Sequence, residues 1–133
     1  MKLSYLLIVS AVVDAIFGIG FLLVPGPVLA LYGGMSMEPY TENLFGAALI
    51  GFAVLNWFAR NATEGQALRA IVLANLAANT LIFILSLLQQ LSGVVNILGW
   101  SSVVISLLLA LGFAYILFRK PSAPSDSVAP AQR

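Results

Sequence analysis

Five acidic residues are the chemical stock of this 133-residue chain, which has no histidine and no cysteine. Asp14 stands in the middle of an apolar run, in "SAVVDAIFGIG" (Ser10 to Gly20). An isolated ionised carboxylate is costly to bury, so its retention there calls for an explanation. General acid–base catalysis needs a second titratable group within hydrogen-bond reach. Glu38 and Glu42 fall at the edge of a later apolar segment and Glu64 in a loop, where none can reach Asp14. Glu38 and Glu42 read as a solvated loop and helix start, where a negative charge is favourable. Without cysteine or histidine there is no thiol nucleophile, no disulfide and no usual ligand for zinc or haem. The expectation is a protein that is not an enzyme and carries no cofactor or metal.

Other polar residues fall at the depth of Asp14. "ANLAANT" sets Asn75 and Asn79 four apart, on one face of a helix. Ser102 and Ser106 repeat that spacing, as do Ser10 and Asp14. Counted from the nearest basic residue, Asp14, Asn79 and Ser106 lie within roughly one helical turn of a bilayer midplane. Asp14, Asn75, Asn79, Ser10, Ser102 and Ser106 thus form a candidate polar cluster, for binding or for packing. Asn56 and Arg60 make a secondary pair nearer one membrane edge. In one reading Asp14 is protonated or hydrogen-bonded to asparagine and serine, and the cluster holds helices together. In the other, an intramembrane acid marks a proton relay, ion path or ligand site.

The elements that carry these residues follow from composition. The chain is 61% hydrophobic and 8% charged, against about 25% charged for a soluble domain. So few charges cannot cover a water-facing surface, and the chain reads as a membrane protein. The net charge of +1 gives no sign of a nucleic-acid partner. The uncharged run from Ala70 to Phe118 would make one helix of about 74 Å, more than twice the roughly 30 Å hydrocarbon core. It must turn, and "QQLSGVVN" (Gln89 to Asn96) is its polar, glycine-containing break. Four spans result, at about 3–24, 40–60, 66–89 and 95–118.

Pro25 and Pro27 should stop the first span, with a short interfacial helical turn before Gly33 and Gly34. "TEGQ" (Thr63 to Gln66) fits a capping box for the third. The single basic residue and the internal acid of the first span favour a retained helix over a cleaved signal peptide. Beyond Phe118 the chain is rich in proline and serine, and 119–133 reads as a disordered cytoplasmic tail. Small residues spaced by four, at Ala47 and Gly51 and at Ala70, Ala74 and Ala78, offer contact ridges. "GFA" recurs at Gly51 and Gly112, which chance explains more readily than a duplicated hairpin.

With four spans, the N-terminus, the middle loop and the tail share one side. They hold all six basic residues, and the other side has none. The positive-inside rule then places both termini in the cytoplasm and the protein in the cytoplasmic (inner) membrane. Tryptophan and tyrosine fall near the span ends, where amphipathic rings are most stable.

"FLLVPGPVLALYGG", "LFGAALIGFAVLNWFAR" and "LSGVVNILGW" give the chain a further likeness. Over about residues 3–118 it resembles the small four-span bacterial membrane proteins grouped as DoxX-like. That resemblance implies a four-helix membrane bundle, with some relatives acting as accessory subunits of redox or assembly complexes. It carries over no functional residues. The combined expectation is an all-α, up-down four-helix membrane bundle with short loops. Its function would be to bind a membrane partner subunit, a second copy, a lipid or another hydrophobic molecule. The alternatives are a small transporter or ion path using Asp14, and then a lipid- or sterol-modifying enzyme.

Overall fold

A computed structural model of the chain describes residues 2–33, 39–63 and 65–119. Among these residues five helices follow one another: α1 (Leu3–Leu23), α2 (Pro25–Leu31), α3 (Pro39–Ala59), α4 (Gln66–Leu91) and α5 (Gly99–Phe118). All except α2 are long and apolar enough to cross a membrane. The fold is therefore an all-α, multi-pass membrane bundle, and no strand occurs among the described residues. Helices suit this solvent because each satisfies its own backbone polar groups where water cannot. The tail from 120 onward lies outside the described residues, as do Glu38 and Glu64.

Local chemistry sets the helix ends. Pro25 lacks an N–H and opens α2, where a first-turn proline costs nothing, so α1 stops at Leu23. The Val24 N–H still donates to the Gly20 carbonyl at 2.9 Å. The capping box expected from Thr63 does not set the start of α4. Gly65, in extended backbone, stands at the N-cap with no side-chain cap bond, and the helix starts at Gln66. α4 runs on to Leu91, and Gly93, at φ +73, turns the chain. α5 starts at Gly99 rather than near 95, because Asn96 is engaged elsewhere. Its N–H donates to the Tyr32 carbonyl at 3.0 Å, and its Nδ2 donates to the Leu31 carbonyl at 2.7 Å. Its Oδ1 accepts the Leu98 N–H at 2.9 Å.

Each long helix buries one stripe at three- and four-residue spacing. In α3 the stripe is Glu42, Gly46, Leu49, Ala53, Asn56 and Ala59. In α4 it is Leu68, Val72, Asn75 and Asn79. The outward faces remain apolar, with Ile16, Phe58, Leu81 and Leu108 exposed, as a lipid-facing surface requires.

The stripes assemble as two antiparallel pairs, α1 on α3 and α4 on α5, with sparse packing between the pairs. Gly18 and Gly46 set the first pair. A Cβ on Gly46 would meet the Leu22 nitrogen at 2.6 Å and the Gly18 carbonyl oxygen at 2.9 Å. The ridges expected at Ala47, Gly51, Ala70 and Ala74 are exposed instead, and Gly51 has open space beside it.

The two pairs meet firmly at one end only. There Leu6, Leu7, Ala59, Leu68, Val72, Leu109 and Phe113 form a core drawn from all four long helices. Lys2, Arg60, Arg69 and Arg119 mark the same end of the bundle. Toward the opposite end the pairs enclose a cleft.

Candidate functional site

Below the cleft lies a hydrogen-bonded knot between α1, α3 and α4, of which Asp14 is the member that borders the cleft. Asn56 and Asn75 bond reciprocally: Asn75 Nδ2 donates to Asn56 Oδ1 at 2.8 Å, and Asn56 Nδ2 donates to Asn75 Oδ1 at 3.0 Å. Asn56 Nδ2 also reaches Ser10 Oγ at 3.2 Å and Asp14 Oδ2 at 3.2 Å. Its two hydrogens are thus shared among three acceptors. The Ser10 hydroxyl lies 3.3 Å from Asp14 Oδ2 and 3.4 Å from Asn75 Oδ1. Ser10, Asn56 and Asn75 are among the most fully buried side chains, while Asp14 is half-buried and borders the cleft. The knot uses Asp14 through Oδ2.

The structure thus brings Ser10, Asp14 and Asn75 together and adds Asn56 as their hub. Asn79, Ser102 and Ser106 reach the cleft wall without joining the knot. Asn79 Nδ2 donates to the Asn75 carbonyl at 2.9 Å, and Ser106 Oγ donates to the Ser102 carbonyl at 2.6 Å. Short polar side chains on a helix readily satisfy themselves on the preceding turn, so depth alone did not make them partners of Asp14. Asn56 and Arg60 do not act as a pair. The Arg60 guanidinium lies over the Trp57 ring, with Cζ 3.7 Å from its centroid, and donates to the Trp57 carbonyl. The guanidinium is thus engaged within its own turn, by the indole face and a backbone carbonyl.

Above the knot the cleft has a volume of about 390 Å³, within the range of small-molecule sites. Phe17, Phe21, Phe45, Leu49, Ile82 and Ile105 wall it from both helix pairs. Tyr32, Glu42, Ser86 and Gln89 border it toward the end away from the core. Tyr32 also lies 3.4 Å, hydroxyl to hydroxyl, from Ser101 on α5. Together with Asn96 it links the two pairs at that end.

Glu42 departs from its expected place in solvent. It is only 4% exposed, and its Oε1 has no hydrogen-bond partner among the described residues. The signal was present in the sequence. Glu42 and Asn56 fall on the three- and four-residue spacing of Gly46, Leu49 and Ala53, so one stripe buries them all.

No protein-family model, curated protein or solved structure matches the chain.

Proposed function

We propose that the protein is a non-enzymatic inner-membrane protein that binds a hydrophobic molecule in the cleft between its helix pairs. The cleft itself carries this reading: about 390 Å³ of mostly apolar space, closed below by a packed core and a polar floor. Apolar walls supply burial, and a few convergent polar groups supply orientation, the usual division of labour in a ligand site. Both termini are placed in the cytoplasm by the same proposal, because Lys2, Arg60, Arg69 and Arg119 gather at one end. Kinship with the DoxX-like proteins belongs to it too, on the sequence patterns at 21–34, 44–60 and 91–100.

Mass spectrometry of the native protein released from mild detergent tests the binding. The expected result is a retained hydrophobic adduct, lost in Ile82→Trp, which fills the cleft while the thermal midpoint holds. A wild-type protein that carries no adduct and takes up no added hydrophobe would overturn it. One observation favours a second reading, a small transporter or ion path: Asp14 touches both the knot and the cleft. Asp14→Asn preserves the acceptor that the knot uses, so a folded variant that binds but no longer transports would support this alternative.

A further inference from the structure

Among the described residues, the cleft is bordered by two acidic side chains and by no lysine or arginine. Asp14 has answering groups, since Ser10 and Asn56 donate to its Oδ2. Glu42 does not: it is nearly inaccessible, it borders the cleft, and its Oε1 is unpartnered among the described residues. The described basic residues stand at the other end of the bundle. A carboxylate taken out of water without a partner is costly, and removal of one partner from a buried ion pair leaves this situation. A positive charge is the complement that this position lacks.

The surroundings suit an organic cation better than a metal ion. Phe45 lies one turn along α3 from Glu42 and packs edge-to-face with Phe21, with ring centroids 5.3 Å apart. Both rings and Tyr32 border the cleft. Aromatic faces attract ammonium groups, most strongly where water is excluded. The cleft lining runs from Asn79 to Gln89 on α4 and from Gly99 to Leu109 on α5, about 15 Å at 1.5 Å per residue, so a chain of roughly ten carbons fits along it. The walls over that distance are mostly apolar, with Asn79, Ser102 and Ser106 as polar points among them.

We infer that the cleft takes a single-chain amphiphile with a cationic ammonium head, the head against Glu42 and the tail along the walls toward Asp14. This rests on the cleft being a ligand site, and it names the class of ligand. A bilayer phospholipid fits less well, because its phosphate sits beside the ammonium and would face the Glu42 carboxylate.

Equilibrium dialysis of the full chain in maltoside micelles, corrected for empty micelles, compares decyltrimethylammonium, decanol and decanoate. The wild type should bind the ammonium at least about tenfold more tightly than the other two. Glu42→Gln should lose that preference and keep its affinity for decanol. Equal affinities in the wild type, or a preference that survives Glu42→Gln, would overturn the cationic ligand while leaving a hydrophobic site standing. Binding of none of the three would overturn the ligand site itself. Displacement of the ammonium probe by phosphatidylethanolamine at equal concentration would overturn the single-chain occupant. If Glu42→Gln does not fold, labelling of wild-type Glu42 by dicyclohexylcarbodiimide decides instead. Decyltrimethylammonium should slow it and decanol should not; equal rates would overturn the inference.

Discussion

Asn56 is the α3 hub of the polar knot. It bonds to Ser10, Asp14 and Asn75, and thereby joins α3 to both α1 and α4. The α3–α4 contact is otherwise slight, so the reciprocal amide pair is its main tie. In hydrocarbon no water can replace a lost partner. Asn56→Leu should therefore destabilise the protein by about 1–2 kcal/mol. Asp14→Asn keeps a carbonyl oxygen where Oδ2 now accepts, and should fall within about 0.5 kcal/mol of wild type. Reversible unfolding in mixed micelles measures both. An unchanged Asn56→Leu, or an Asp14→Asn loss as large as the Asn56→Leu loss, would contradict the geometry of the knot.

At the scale of the helices, close approach rather than apolar bulk holds the first pair. Gly46 lies against the α1 backbone at Gly18 and Leu22, and any side chain there must push the two helices apart. Gly46→Ala should cost about 1–3 kcal/mol. Gly51→Ala, five residues further on a different face and beside open space, should gain up to about 1 kcal/mol from helix propensity. Opposite signs for two substitutions of one type on one helix, read from unfolding midpoints, would be hard to obtain from composition alone. A loss at both positions would show that α3 packs through a different face. The first turn of α5 is similarly fixed from outside itself, since Asn96 is held by the carbonyls of Leu31 and Tyr32.

For the whole molecule, the two pairs are joined at both ends and separated between them. The core and the knot close one end, and Asn96 and Tyr32 bridge the other. The cleft thus has a firm floor and a bridge of few bonds, and the bridge should open first. Asn96→Ala should speed hydrogen exchange of the α2 amides several-fold while leaving those of α4 near Asn75 unchanged. A uniform acceleration would mean that the bundle opens as one unit. Reporters fused after Arg133 test the placement in the membrane: activity on the cytoplasmic side is expected, and activity outside would reverse it.

The sequence by itself determined how many spans there are, where they break and which end is basic. These are local matters. A hydrocarbon solvent demands internally bonded helices, proline and glycine interrupt them, and charge marks their ends. The polar character of the interior was legible in the same way, through Ser10, Asp14 and Asn75. Tertiary structure alone decided which polar groups at one depth touch. That depends on the rotation of each helix about its axis and on which helices pair, and spacing along one helix does not fix either. Asn56 rather than Asn79 meets Asp14 because α3 lies against α1 and turns its Asn56 stripe inward. The same rotation carries Glu42 out of solvent and to the wall of a cleft that exists only because the two pairs part above the knot.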